Sequence, residues 1–306
     1  MTKVFIDGRA GTTGLQIEGR MGLREDVELI LLPQELKKDP AARKDAINQA
    51  DIVFLCLPDA AAREAVSMLE NSHTRIIDAS TAHRTNPDWA YGFPELSEGH
   101  RRAVETSRLV ANPGCHATGF IALAYPLVQL GMIPPDQQLI AHSVTGYTGG
   151  GKKMIEQYES PERDTEYDSP RHYSLTLSHK HLPEMMQVCG LTETPIFCPI
   201  VCDFPQGMLV TIPLFLEKGL TMEKLKTAYR DFYAGQANIH VKDAPDSGFL
   251  GSNNVVGTND LNIFVSGNDR QAMISAQFDN LGKGASGAAV QNMNIMLGLD
   301  ENFGLI

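Results

Sequence analysis

The sequence has few features of secreted, membrane-bound or nucleic-acid-binding proteins. Its five cysteines are an odd number without the spacing of a disulfide framework, which indicates reduced thiols and a cytoplasmic protein. No apolar run approaches the ~18 residues of a membrane-spanning helix. Asp7 directly follows the apolar start Val4-Phe5-Ile6, which is typical of a strand and not of a signal peptide. The net charge of −11 disfavours binding to nucleic acid or to anionic membranes.

A pattern of metal ligands is also missing. Cys189, Cys198 and Cys202 form no C-x-x-C pair, and residues 196–202 have the apolar character of a strand, so we expect no metal. The chain has 306 residues, of which 42% are hydrophobic and 21% charged. This length and composition are typical of a soluble globular protein with two domains.

A glycine-rich loop follows the first predicted strand. Gly8, Gly11 and Gly14 have the spacing G-x-x-G-x-x-G and lead into a predicted helix that ends near Met21. Glycines at this place allow a tight turn and a close approach of the backbone, and the helix N-terminus can meet a pyrophosphate. The cofactor contacts predicted for the first third of the chain are Gly8, Gly11, Thr12, Thr13, Gly14 and Pro58.

Strands and helices alternate through the same region. The predicted strands are the apolar segments 27–32, 51–58, 75–78 and 108–111. This alternation predicts an α/β fold with a doubly wound, Rossmann-type sheet. No acid ends the second strand, and Lys37 and Lys38 follow it, which favours NADP(H) over NAD. The alternative is that both lysines are solvated surface charges.

Cys115 stands at the start of a helix predicted over 116–129. The N–H groups and dipole of a helix N-terminus favour the thiolate, which is the nucleophilic form of cysteine. The alternative is a small buried residue that begins a core helix, because free cysteine is among the most buried residue types.

Seven motifs occur in a fixed order along nearly the whole chain. They are the glycine-rich loop and the segments 78–84 (DASTAHR), 91–96 (YGFPEL), 112–115 (NPGC), 145–152 (TGYTGGGK), 179–184 (HKHLPE) and 279–287 (DNLGKGASG). Together they resemble the N-acetyl-gamma-glutamyl-phosphate reductase family, particularly its shorter form. Two departures concern His116, where many members have an aromatic residue, and the glycines at 149–151, which differ from the serine-rich version of the longer form.

The resemblance implies a reaction and a domain organisation. The reaction is the NADPH-dependent reduction of N-acetyl-gamma-glutamyl phosphate to the 5-semialdehyde and phosphate, in arginine biosynthesis, through a thioester on Cys115. A nucleotide-binding domain is expected over 1–114. An α+β catalytic and oligomerisation domain of the semialdehyde and glyceraldehyde-3-phosphate dehydrogenase type is expected over 115–282. The segment 283–306, with an amphipathic helix from 285 to 297, is expected to return to the first domain, and the protein to form a homodimer or homotetramer.

The chemistry also needs an acid–base group, and histidine suits this task near neutral pH. By analogy with the family we favour His181, with His179 second and Glu184 orienting an imidazole; one of the two histidines is expected only to pack or to form hydrogen bonds. His116 is adjacent to the nucleophile, but its side chain is expected to point elsewhere on the helix.

A negatively charged protein must bind its acyl phosphate with local cations. By resemblance Arg84 contacts the phosphate, since a guanidinium offers several donors to an oxyanion, although a surface ion pair is the alternative. The other predicted substrate contacts are Ser80, Asn112, Ser143 and Gly146. The loop with Asn280, Lys283 and Gly284 is expected to meet the nicotinamide.

Two further functions remain open at this stage. One is a related acyl-phosphate reductase such as an aspartate-semialdehyde dehydrogenase. The other is a non-catalytic, NADP-sensing protein, in which Cys115 would be dispensable. The polar segment 156–172 is predicted to be a long loop.

Overall fold

The computed structural model describes residues 1–217 and 219–305, which divide into two compact units. The first unit comprises Met1–Gly114 and the C-terminal segment from Ala285, and the second comprises Cys115–Gly284. Within the described residues, no helix is long and apolar enough to cross a membrane.

The strands of the described residues are β1 (Thr2–Asp7), β2 (Val27–Ile30), β3 (Ile52–Leu55), β4 (Arg75–Asp78), β5 (Ala90–Tyr91), β6 (Leu109–Ala111), β7 (Ile140–Gly146), β8 (Arg171–His172), β9 (Ile196–Cys202), β10 (Met208–Phe215), β11 (Ile239–Lys242), β12 (Leu261–Gly267) and β13 (Gln271–Phe278). The α-helices are α1 (Thr12–Met21), α2 (Pro40–Gln49), α3 (Asp59–Ser67), α4 (Glu98–Thr106), α5 (Cys115–Gln129), α6 (Lys152–Glu159), α7 (Leu182–Cys189), α8 (Met222–Phe232) and α9 (Gly287–Met296).

The first unit is built on a parallel sheet in the order β2-β1-β3-β4-β6-β5. Alternate side chains of β1 enter two cores: Val4 packs in one with α1, α4 and α9, and Phe5 in the other with α2 and α3. Helices therefore cover both faces of the sheet, as in a doubly wound fold.

The second unit is built on a mixed sheet in the order β11-β12-β13-β10-β7-β9-β8. The pairs β7–β9 and β11–β12 are parallel, and the other pairs are antiparallel. Helix α5 packs on β10 and β13, and its residues from His116 to Leu127 are buried. One doubly wound unit and one α+β unit confirm the predicted fold class.

The helix at the C-terminal end differs from its prediction. Residues Gly282–Ser286 form a π-helical turn, and α9 ends at Met296, with turns after it. Every residue of α9 is buried, because the helix packs against α1, α4 and β4 of the first unit. Its polar residues are accommodated inside: Gln291 donates to Glu95, and Asn292 to the Gly92 carbonyl. The helix is therefore buried on all sides and is not amphipathic as predicted.

The segment 156–172 is also more ordered than a long loop. It contains the end of α6, a 3₁₀ turn at Thr165–Asp168 and the short strand β8. Tyr158 is buried, stacks on Tyr147 and accepts hydrogen bonds from the Arg171 guanidinium. These aromatic and cationic contacts hold the segment although its sequence is polar.

Candidate active site

The glycine-rich loop of the first unit leaves no room for side chains at two of its positions. A Cβ on Gly8 would lie 2.2 Å from the carbonyl oxygen of Cys56, and φ is +86° there. A Cβ on Gly14 would lie 2.7 Å from the Gly8 oxygen. The turn between β1 and α1 can therefore form only with glycine at these positions.

The same loop ends in backbone donors. Gly11 is the N-cap of α1, and no side chain caps this helix. In the part of the chain that the structure describes, the buried Thr12 hydroxyl has no hydrogen-bond partner. An uncapped helix N-terminus with an unsatisfied hydroxyl fits a phosphate group, so the residues present suit the pyrophosphate of a dinucleotide.

Other predicted cofactor residues lie at the same edge of the sheet. Strands β2 and β3 both pair in parallel with β1, so the residues after all three strands share one edge. Pro58 is the N-cap of α3 after β3. Lys37 and Lys38 follow β2, with Lys37 half-buried and Lys38 exposed.

Asp78, the last residue of β4, organises the loop that carries Arg84. Its carboxylate accepts hydrogen bonds from the backbone and hydroxyl of Ser80, at 2.9 and 2.7 Å, and lies 2.7 Å from Nδ1 of His83. The His83 ring also stacks on Trp89, with the ring centroids 4.1 Å apart. This buried cluster fixes the backbone that directly precedes Arg84.

Arg84 is buried, and its guanidinium donates to the carbonyl oxygens of Asn112 and Ala79, each at 2.9 Å. This burial disagrees with the surface position of the alternative interpretation. The Asn112 side chain is used within the first unit: it donates to the Ala285 carbonyl and accepts from Asn292. These bonds fix the Asn112 side chain, and the backbone carbonyl oxygen of Asn112 orients Arg84.

In the second unit, Cys115 is the first residue of α5 and is half-buried. Gly284 packs directly against it, because a Cβ on Gly284 would lie 3.0 Å from the Cys115 Cβ. The helix N-terminus gives the sulfur the electrostatic environment that favours a thiolate.

A cluster of histidines lies in the same unit. The centroids of the His179 and His181 rings are 4.7 Å apart, and those of His116 and His181 are 5.7 Å apart. His181 is buried at the N-cap of α7, and Glu184 is buried in its first turn. The His181 backbone N–H donates to Nδ1 of His179 at 3.1 Å, so a neutral His179 carries its proton on Nε2.

The side chain of His116 faces the sheet and the other two histidines. Its Nδ1 lies 2.6 Å from the Ser143 hydroxyl, and its Nε2 lies 2.5 Å from the Tyr173 hydroxyl. The ring packs on Phe197 of β9, because the first turn of α5 faces β7 and β9 there. Burial, then the nearby His179 and Lys180, lower the pKa of His116 to about 3, so the imidazole is neutral.

Tyr173 was missed by sequence reasoning, since it lies directly after the segment that was predicted to be a loop. It precedes a tight turn in which Ser174 and Leu177 have positive φ values of 54° and 56°. This unusual backbone returns the chain to His179, whose ring centroid is 5.9 Å from that of Tyr173. No motif in the sequence signals this return.

The other residues predicted to contact the cofactor or the substrate lie in or beside loops of the second unit. The Asn280 side chain accepts from the Gly207 backbone N–H at 2.8 Å and donates to the Thr148 hydroxyl. Gly146 ends β7, and a Cβ there would lie 2.4 Å from the Pro205 oxygen. Lys283 is buried in the π-helical turn. Among the described residues, no group of three His, Cys, Asp or Glu side chains is placed to hold a metal ion.

Comparisons with known proteins agree with this division of the chain. The family model of the semialdehyde dehydrogenase NAD binding domain matches residues 12–104, and that of the semialdehyde dehydrogenase dimerisation domain matches residues 115–280. Among solved structures, aspartate semialdehyde dehydrogenase from Francisella tularensis superposes with a TM-score of 0.73 at 14% identity. The alignment covers 97% of this chain and 100% of that one, and at this identity it shows a shared fold.

Sequence relatives are much more similar. A protein named N-acetyl-gamma-glutamyl-phosphate reductase from Burkholderia cenocepacia is 48% identical over 303 residues, which cover 96% of this chain and 97% of that protein. One named N-acetyl-gamma-glutamyl-phosphate reductase 2 from a Nostoc species is 46% identical over 318 residues and 99% of each chain. These matches confirm the resemblance seen in the motifs and show that the chain belongs to the N-acetyl-gamma-glutamyl-phosphate reductase family.

Proposed function

We propose that this protein catalyses the NADPH-dependent reduction of N-acetyl-gamma-glutamyl phosphate to N-acetyl-glutamate 5-semialdehyde and phosphate, as a step of arginine biosynthesis. The observation that carries the proposal is the position of Cys115 at the start of α5, in the unit that also brings His116, His179 and His181 together. The named relatives support the substrate and the reaction.

Cys115 is the proposed nucleophile. Its thiolate attacks the acyl carbon of the substrate, the bond to the phosphate oxygen breaks, and a thioester on Cys115 remains. This step needs neither a metal nor ATP, because an acyl phosphate is already an activated carbonyl. Covalent catalysis of this kind replaces one difficult step with two easier ones.

His181 is the proposed acid–base residue, with His179 as the second candidate. It holds the proton that passes to the substrate carbonyl oxygen when the thioester is reduced, and takes it back when the carbon–sulfur bond breaks and the aldehyde leaves. The hydrogen bond from the His181 backbone N–H to Nδ1 of His179 fixes the orientation of the His179 ring. This supports a positioning role for His179. Glu184, buried in the first turn of α7, is proposed to orient an imidazole.

The first unit is proposed to bind NADP(H), which when bound supplies the hydride. Gly8, Gly11, Gly14, Thr12 and Thr13 would hold the pyrophosphate at the N-terminus of α1. The other proposed cofactor contacts are Lys37 and Lys38 at the 2′-phosphate, Pro58, Asn280, Lys283 and Gly284.

Arg84 is the proposed phosphate ligand of the substrate. Two backbone carbonyls orient its guanidinium, so little side-chain freedom is lost when an oxyanion binds. The other proposed substrate contacts are Ser80 and Asn112 on the phosphate side, with Ser143 and Gly146 beside the acyl chain.

The second unit is proposed to form the contact between identical subunits. Its sheet strands expose large apolar side chains, among them Met273 on β13, Phe215 on β10, which is 72% exposed, Ile140 on β7 and Ile196 on β9. Exposed apolar side chains on neighbouring strands are typical of an interface, and the family model of this region is that of a dimerisation domain. We propose a homodimer or homotetramer in the cytoplasm, with no nucleic acid or membrane partner.

The experiment that tests the proposal is the reverse reaction, read as NADP reduction. N-acetyl-glutamate 5-semialdehyde and phosphate are supplied to the wild type and to Cys115→Ala. We expect phosphate-dependent turnover that is lost in the variant. Turnover only with aspartate semialdehyde would indicate a related acyl-phosphate reductase. NADP binding without turnover of either aldehyde would indicate a sensor.

A further inference from the structure

His116 has a hydrogen-bonding group at each ring nitrogen. The Ser143 hydroxyl lies 2.6 Å from Nδ1 and the Tyr173 hydroxyl lies 2.5 Å from Nε2. The neutral ring carries one N–H, so one nitrogen donates and the other accepts. The preceding residue along the chain is Cys115, the proposed nucleophile, so these two bonds fix the ring of the residue beside it.

The surroundings of His116 keep it neutral. The ring is 3% exposed, and it is faced by His179, His181, Lys180 and Tyr173. Burial together with the positive charges of His179 and Lys180 disfavours a proton on its second nitrogen. At neutral pH the His116 ring is therefore neutral, and each of its nitrogens pairs with a hydroxyl group.

Of the two hydroxyl groups bonded to His116, that of Tyr173 is the one whose proton bears on the Cys115 thiolate. Burial and the charge of the Cys115 thiolate both raise the pKa of its phenol, so Tyr173 stays protonated. The Tyr173 hydroxyl is also held 2.5 Å from Nε2 of His116, the residue that follows Cys115. A protonated phenol near a thiolate can donate a hydrogen bond to the sulfur, provided that its proton is not used elsewhere.

We propose that Ser143, His116 and Tyr173 form a positioning relay that directs the Tyr173 proton to the sulfur of Cys115. Ser143 donates to Nδ1 of His116, and Nε2–H of His116 donates to the Tyr173 oxygen. This leaves the phenolic proton for the thiolate, which the hydrogen bond stabilises. In the opposite tautomer the phenol would donate to Nε2, and the thiolate would lose this donor. The proposal rests on the nucleophilic role of Cys115 proposed above.

The test uses variants that remove or keep single bonds of the relay. Tyr173→Phe removes the hydroxyl and keeps the ring. His116→Gln places an amide near the position of Nε2, whereas His116→Asn reaches only the position of Nδ1. Tyr167→Phe is the matched control in the same unit, since Tyr167 packs against Tyr158 and Arg171 and makes no described contact with the histidine cluster. Melting temperatures report whether each variant folds.

The first readout is the pH midpoint of Cys115 alkylation by iodoacetamide, followed on the Cys115 peptide by mass spectrometry. We expect Tyr173→Phe and His116→Asn to raise the midpoint by about one pH unit, because the thiolate loses a donor. His116→Gln should raise it less, and Tyr167→Phe should leave it unchanged. Reductase kcat should fall about tenfold in Tyr173→Phe, with little change in KM.

An unchanged alkylation midpoint in folded Tyr173→Phe would overturn the relay, whatever happened to stability. The same holds if His116→Gln and His116→Asn shifted the midpoint equally, because the Nε2 side would then have no special role. This readout needs no turnover. A relay that fails is therefore distinguished from a proposed function that fails, which would show as activity retained in Cys115→Ala.

Discussion

Gly284 and Cys115 are in such close contact that residue 284 cannot carry a side chain without displacing the sulfur-bearing residue. An added Cβ would lie 3.0 Å from the Cys115 Cβ and 3.2 Å from the Asp279 oxygen. Backbone atoms on one side and the start of α5 on the other leave little room to yield. The π-helical turn at 282–286 thus limits where Cys115 can be.

Gly284→Ala is expected to lower kcat at least tenfold, because a displacement of a few tenths of an ångström disturbs the attack geometry. Steady-state kinetics would measure this, with Gly19→Ala as the matched control. A Cβ on the exposed Gly19 of α1 meets nothing within 4 Å, so this control should keep full activity and gain about 0.5–1 kcal/mol in the free energy of unfolding. Full activity in Gly284→Ala would show that the contact is irrelevant to catalysis.

Two glycines of the nucleotide loop should respond differently to alanine. A Cβ on Gly11 has its nearest neighbour at 3.4 Å, an ordinary contact, whereas one on Gly8 would clash with Cys56 at 2.2 Å. We expect Gly11→Ala to fold normally but to bind NADPH at least tenfold more weakly, since the methyl group occupies space that the pyrophosphate needs. Gly8→Ala should lower the melting temperature. NADPH titration by fluorescence and thermal unfolding measure both; unchanged NADPH affinity in Gly11→Ala would place the pyrophosphate elsewhere.

The cofactor preference should depend on the lysines after β2. Lys37→Gln/Lys38→Gln is expected to raise KM for NADPH about tenfold and to leave KM for NADH unchanged, because only NADPH carries the 2′-phosphate. Lys44→Gln is the control, because Lys44 lies on α2 with 43% of its side chain exposed and pairs with Glu70. If the double variant raised KM for both cofactors equally, or for neither, the lysines would not read the 2′-phosphate.

The neutral His116 should make folding sensitive to acid. Its pKa is about 3 in the folded protein and ~6.5 in an unfolded chain, so below pH ~6.5 only the unfolded chain takes up the proton. Stability is therefore lost as the pH falls from ~6.5 towards 3, by about 2 kcal/mol at pH 5. Urea unfolding at pH 8 and at pH 5 measures how much stability each protein loses between the two. The free energy of unfolding should fall by about 2 kcal/mol less in His116→Gln than in the wild type. An equal loss in both proteins would contradict a buried neutral imidazole.

Local sequence patterns were sufficient to predict much of the fold and several residues of the candidate site. The glycine spacing after β1, the alternation of strands and helices and the place of Cys115 at a helix start each depend on residues close together in the chain. Ordered motifs then identified the family. These features could be predicted because turn geometry, strand burial and helix initiation are properties of short segments.

Other features depended on contacts between distant segments. His116, Ser143 and Tyr173 meet only because α5 packs on the sheet and the turn at Ser174 and Leu177 brings the chain back. The polar faces of α9 are buried because Glu95 and the Gly92 carbonyl satisfy them. Helical periodicity indicates which side chains share a face, but tertiary packing decides what that face meets. The residues around the proposed nucleophile were therefore visible one by one in the sequence, and only the fold determined which of them act together.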